Sequence, residues 1–376
     1  MATGGMAPPS PLDDDDLLSQ ILLRLPPHPA GLLRASLVCA RWRRLLRDPA
    51  VLRLSRAFHR TPPVLGLYRA TLRPGTFLPV GDAPDRVAAP RLELRTDDWV
   101  FLACRHGRVL LRSAPGWLQL LVWDPLTGHR RCVRLGRLGS HVDACSAAVF
   151  GDPAGPGRRR GSFRLAFVFT GGGRASACLY SSEAGAWGKL ITAEAICDDI
   201  SGKPSALAGD ALYWVLDDGD ILELHLGKER LAIVEPPPDA RSLYRRNSLL
   251  MDAGGTLGFA GVNDYSLHLW AWEADLDGTA KWVRRKIIDL SEFAPSPEVI
   301  LLMPHVKLRC VDESGSFAFI RTAFGMYMVS LNASSPFKKV SDAELFELFR
   351  PYSSFYVEGG SGCAVDADDG AGQQEM

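Results

Sequence analysis

The sequence predicts a small all-α unit of three short helices followed by an all-β propeller of six blades, with seven as the alternative. Two features of the 376-residue chain lead there. Up to about residue 60 Leu and Arg dominate and the apolar positions recur at helical spacing. Beyond it, short apolar runs alternate with Gly, Asp, Pro and Ser clusters, which reads as strands and turns that repeat along the chain. The expected organisation is a disordered N-terminus at 1–11, the helical unit at 12–58, a linker at 59–63, the propeller at 64–358 and a disordered acidic tail at 359–376. Arg60 to Val64, "RTPPV", marks the hinge, because Pro stops helices and stiffens a connection.

The first helix carries Leu17, Leu18, Ile21, Leu22 and Leu25 at helical spacing, a broad apolar stripe. Asp13 to Asp16 precede it, where carboxylates cap free N–H groups and suit the helix dipole. Pro26-Pro27 ends it. A second helix runs from about Ala30 with Leu32, Leu33, Leu37 and Val38 as its apolar positions. A third holds Trp42, Leu45 and Leu46 and closes before Asp48-Pro49, since a residue preceding Pro avoids the helical region. A unit this small cannot hide so many apolar side chains among its own helices. The surplus calls for a protein partner or for packing on the β-domain as a cap. Arg41, Arg43 and Arg44 read as a solvated helix face rather than a nucleic-acid patch.

The stretch "LLSQILLRLPPHPAGLLRASLVCARWRRLLRDPAVLRL" resembles an F-box. The likeness is carried by Ile21, Leu22, Arg24, Leu25, Pro26, Leu33, Ser36, Val38, Cys39, Arg41, Trp42 and Asp48, in order and spacing. The chain departs from the pattern at its start, where Leu12 is followed by four Asp instead of Pro. The resemblance implies that 12–58 docks on a Skp-type adaptor and, through it, on a cullin-based ubiquitin ligase. It implies an adaptor-binding surface, or the core beneath it, from Leu17, Leu18, Ile21, Leu22, Leu25, Pro26, Leu33, Val38, Cys39 and Trp42.

Five units follow in the β-region, with Trp123, Tyr180, His225, Trp272 and Leu331 as equivalents before a small or acidic turn. Their separations of 57, 45, 47 and 59 residues suit blades of four short strands. Val64 to Val80 and Ser353 to Val357 are expected to combine into one closing blade, which removes exposed sheet edges. "WDPLTG", "LAGDALYWVL", "ILELHL" and "PYSSFYV" resemble the F-box-associated β-propellers common in large plant F-box families.

Composition narrows the chemistry. Lys plus Arg and Asp plus Glu each number 43, so bulk charge gives no support for a nucleic-acid or membrane partner. The eight Cys lack paired spacing, which suits reduced thiols in the cytoplasm or nucleus, and Asn332-Ala333-Ser334 then reads as an unglycosylated loop. No stretch approaches the roughly 18 apolar residues of a membrane span, and the N-terminus has no secretory pattern. There is no HExxH, CxxC pair or His cluster at ligand spacing, so no metal, cofactor or catalytic residue is expected. "TGGGRAS" (170–176) fails the dinucleotide pattern, "LDDGD" (216–220) reads as a hairpin turn, and "GRRRG" (157–161) as a charged loop. Most Trp, among them Trp99, Trp117, Trp214, Trp270, Trp272 and Trp282, are assigned to blade core. The expected role is a non-catalytic substrate-recognition subunit whose propeller holds an unknown target protein. The alternatives are an F-box scaffold outside ubiquitination and a carbohydrate-binding propeller with a helical cap.

Overall fold

A computed structural model describes residues 14–355 except 28, 71–74, 82–85, 88–91, 95–97, 115–118, 137–142, 152–161, 245–246, 275–276, 278, 295–305, 333–336 and 343–347. The expected disordered ends at 1–11 and 359–376, the "GRRRG" loop, Trp117, Cys363 and most of the Asn332 sequon lie outside the described residues.

Four helices open the chain: α1 (Asp15–Leu23), α2 (Pro29–Val38), α3 (Ala40–Arg47) and α4 (Pro49–His59). The carboxylate of Asp14 caps α1, accepting from the N–H groups of Asp16 (2.8 Å) and Leu17 (3.3 Å). The sequence reading gives three helices, and α4 is the addition. Asp48 does leave the helical region before Pro49, with ψ of 122°. Proline is equally suited to open a helix at its first position, where its missing N–H has no partner to lose. The Asp48 carboxylate then caps the new helix by accepting from the Ala50 N–H at 2.7 Å.

The remainder is a six-bladed β-propeller. The closing blade begins with β1 (Val64–Arg69) and β2 (Phe77–Pro79). The first blade is β3 (Trp99–Arg105), β4 (Arg108–Ser113), β5 (Gln119–Trp123) and β6 (Arg130–Arg134). The second is β7 (Ala144–Phe150), β8 (Arg164–Gly171), β9 (Arg174–Ser181) and β10 (Ala186–Trp187), with β11 (Ile191–Ile196) also on β9. The third is β12 (Ala206–Ala208), β13 (Ala211–Val215), β14 (Ile221–His225) and β15 (Arg230–Val234). The fourth is β16 (Ser248–Asp252), β17 (Leu257–Asn263), β18 (Ser266–Ala274) and β19 (Ala280–Asp289). The fifth is β20 (Lys307–Val311), β21 (Phe317–Thr322), β22 (Gly325–Ser330) and β23 (Phe337–Ser341).

The chain's end then returns as β24 (Phe349–Ser353) and pairs antiparallel with β1, from Val64↔Ser353 to Arg69↔Phe349. Closure by both ends of the β-region is as expected, but the closing strand starts four residues before Ser353. Phe349 and Tyr352, 1% and 0% exposed, are the residues the joint buries. All five proposed equivalents fall at or near the end of a third strand: Trp123 on β5, Tyr180 on β9, His225 on β14, Trp272 on β18 and Leu331 just after β22.

Six apolar clusters, one in each wedge between neighbouring blades, hold the ring. That pattern fixes the blade number at six. Trp214, fully buried, fills the second wedge, and Phe319 with Leu67 and Phe349 fills the wedge between the fifth and closing blades. The first strands adjoin around the axis, β3 beside β7 and β24, and β20 beside β16 and β24. "LDDGD" is a hairpin turn, with the Leu216 N–H on the Asp220 carbonyl at 2.8 Å and Gly219 at φ +98°. "TGGGRAS" is likewise the turn between β8 and β9, where Gly172 and Gly173 have positive φ.

Candidate functional site

The helical unit has its own small core. Leu18 and Leu22 of α1, one turn apart, are 0% and 2% exposed and meet Ala35 of α2 and Leu45 and Leu46 of α3. Leu25, Leu32 and Trp42 pack half-buried against them. The Asp15 carboxylate accepts from Arg41 Nε at 2.7 Å and ties the start of α1 to α3. Arg43 Nε donates to the Ser36 carbonyl at 3.2 Å across the α2–α3 joint.

The rest of the apolar stripe faces out. Leu17 and Ile21, on the neighbouring face of α1, are 45% and 42% exposed. Leu37 and Val38, at the end of α2, are 64% and 62% exposed, and Leu54 and Phe58, one turn apart on α4, are 55% and 56%. Of the twelve exposed large hydrophobic residues among the described ones, these six belong to the helical unit. Each such side chain gains about 1.5–3 kcal/mol when a partner covers it.

The ten residues singled out from the sequence therefore separate. Leu17, Ile21, Val38, Pro26 and Cys39 lie on the surface, Leu18 and Leu22 form the core beneath it, and Leu25 and Trp42 stand between. Leu33 is in α2, but its side chain lies outside the described residues. Sequence reasoning counted Leu37 in the apolar surplus but not in the adaptor surface, and passed over Leu54 and Phe58. The one-turn spacing of Leu54 and Phe58 was the available signal, hidden by ending the helices at Pro49.

In the propeller the polar side chains of the first strands bridge blades. Arg105, at the end of β3, is 7% exposed and donates to the carbonyls of Val149 (3.4 Å) and Ser205 (3.0 Å), in the second and third blades. The backbone N–H of His106 donates to Glu313 Oε2 at 2.6 Å, joining the first blade to the fifth. Burial pushes the Glu313 carboxyl up to about 7, although the His106 N–H and Arg105 oppose it. His106 is driven down to about 4 by burial, then by Arg105 and Arg108, and its Nδ1 accepts from the Gly151 N–H at 2.9 Å. These groups brace the ring. Among the described residues no group of three or more His, Cys, Asp and Glu could hold a metal ion, and no described helix is long and apolar enough to cross a membrane. The seven described cysteines are free thiols, and burial raises Cys104 and Cys310 far above the ordinary range.

Residues 15–54 match the F-box-like family model, which covers α1 to α3 and half of α4. The chain therefore carries an F-box-like domain followed by a six-bladed β-propeller. No curated protein matches it. Among solved structures it is similar to a prolyl endopeptidase at 14% identity and a TM-score of 0.35, over 65% of this chain and 36% of the other. The chain thus spans about a third of that protein's length, and the likeness carries no argument about activity.

Proposed function

We propose that this chain is the substrate-recognition subunit of a Skp–cullin–F-box ubiquitin ligase, with residues 12–58 docking on the adaptor and the propeller holding a target protein. The observation that carries the reading is the concentration of exposed apolar side chains on the F-box-like helices, six of the twelve in the described chain. Such a surface gains several kcal/mol on being covered. The chain itself makes and breaks no bond in this role. It holds a target beside the ubiquitin-charged enzyme and so raises effective concentration. A rigid ring braced by buried Arg105 and by the His106–Glu313 bond suits that work.

The test is binding of the full chain to a Skp-type adaptor, wild type against Leu17→Asp/Ile21→Asp. Both positions are exposed in the free chain, so the substitutions leave the F-box core intact, whereas Leu25, packed half-buried on that core, would confuse folding with docking. Two carboxylates forced into an apolar interface cost several kcal/mol, about a hundredfold or more in affinity. Equal binding by the two chains, with unchanged circular dichroism, overturns the reading.

A further inference from the structure

Arg321 stands near the end of β21, directly across from Lys307 at the start of β20 and from Met326 at the start of β22. It is 6% exposed, yet its guanidinium has no hydrogen bond or ion pair among the described residues. Only its Nε is both sealed from solvent and unpartnered, so the terminal amino groups are the part that reaches solvent. Its charged neighbours are cationic. Lys307 faces it across the strand pair, and Arg309 is held low first by burial and then by Arg321 itself. Like charges on paired strands destabilise a sheet, and a buried charge without a counter-ion is among the costliest features a fold can keep. Among the described residues nothing offsets it.

The location is specific. Phe319, two residues earlier, is fully buried in the wedge between the fifth and closing blades, with Leu67, Val80 and Phe349. β21 pairs with β22 without a register shift, so Arg321 shares that face and lies at the mouth of the same wedge. The turn that follows holds Phe324 out, 51% exposed, with the Phe324 N–H on Thr322 Oγ1 at 3.0 Å. Leu348, 39% exposed, immediately precedes β24 and takes the Ala70 N–H on its carbonyl, so it alternates with Phe349 and faces the first blade instead.

The two ends of the propeller differ in kind. Among the described residues, five of its six exposed large apolar side chains lie toward the end where the first strands begin: Ile196, Leu243, Ile287, Phe324 and Leu348.

We propose that the mouth of the wedge between the fifth and closing blades is the target-binding site, and that Arg321 there receives an oxyanion borne beside an apolar group that packs on Phe324. The naming of the ligand as a target rests on the function proposed above. The site itself does not. A guanidinium presents paired N–H donors that match phosphoryl or carboxylate oxygens, and a bound anion supplies the counter-charge that Arg321 lacks among the described residues.

The experiment titrates the full chain with phenyl phosphate, phenylacetate and inorganic phosphate at matched ionic strength, following heat of binding and unfolding temperature. Wild type is expected to bind phenyl phosphate or phenylacetate, and the stronger of the two tells phosphoryl from carboxylate. Inorganic phosphate, lacking the apolar group, binds more weakly. Arg321→Met is expected to lose at least about tenfold in affinity while unfolding at the same or a higher temperature, because an apolar side chain of similar length replaces a charge unpaired among the described residues. Phe324→Ser weakens binding several-fold and leaves folding unchanged. The proposal is overturned if Arg321→Met binds as well as wild type, if it unfolds at a lower temperature, or if wild type binds neither aromatic probe. Any of these outcomes leaves the adaptor measurement standing, so the two readings fail separately.

Discussion

In the propeller, Phe319 or Trp214 meets a neighbouring blade and is sealed from water, whereas in the helical unit Leu17, Ile21, Leu37, Val38, Leu54 and Phe58 meet water. The two regions are built from similar residues. What differs is closure. A ring of blades gives every wedge two walls, and β24 paired with β1 leaves no wedge open. Four short helices have too little interior, so one face of α1 is core and the adjoining face is surface. The propeller completes itself, and the helical unit is completed from outside.

The sharpest way to break this comparison is within a wedge. Phe319→Ala removes a fully buried ring from the joint between the fifth and closing blades and is expected to cost about 3–5 kcal/mol in urea unfolding. A cost below about 1 kcal/mol would mean that the joint is loosely packed and closure does not hold the ring. The helical unit offers a paired test. Leu18→Ala should destabilise the helical transition by about 2–5 kcal/mol and remove adaptor binding with it. Leu17→Ala, one residue along, should change stability by no more than about 0.5 kcal/mol while still weakening adaptor binding. Equal effects on folding would erase the distinction between the core face and the docking face.

A smaller effect separates the regions by pH. The Glu313 carboxyl stands at about 7 in the folded propeller against an ordinary 4.5, so the folded state holds a proton that the unfolded chain releases. Its contribution is fully present below about 4.5 and fades as pH rises through 7, so propeller stability falls across that window. Glu313→Gln keeps an acceptor for the His106 N–H and should flatten the slope, as read by denaturant midpoints from pH 5 to 8. The transition of the F-box-like helices should not change. A slope that survives in the variant assigns it to other groups, with His106 excluded by sign, because its lowered value weakens the fold toward acid instead.

Much of this architecture was legible in the chain. The third strands announce themselves because each ends on a large residue before a turn, from Trp123 to Leu331, and closure followed from apolar runs left over at both ends of the β-region. The F-box pattern stands in consecutive residues of one helical passage. Three things were not legible. A stripe such as Leu17, Leu18, Ile21 and Leu22 shows that a helix is apolar on one side, but the division into inner and outer halves depends on where α2 and α3 lie. Pro49 ends one helix and begins another, and local preference alone does not choose. Arg321 looks like an ordinary strand residue until the wedge around it is assembled, since its lack of a counter-ion among the described residues is a property of the neighbours and not of the motif.

The measurement that tests the central claim most directly is hydrogen exchange by mass spectrometry on the full chain, alone and with a Skp-type adaptor. Alone, amides in 15–59 should exchange faster than those of the blade strands, because so little of that unit is enclosed. With the adaptor, α1 and the end of α2 should slow, while β20, β21 and β24 stay as they were. Helices already as protected as the blades and indifferent to the adaptor, or protection that appears on the propeller instead, would contradict the account.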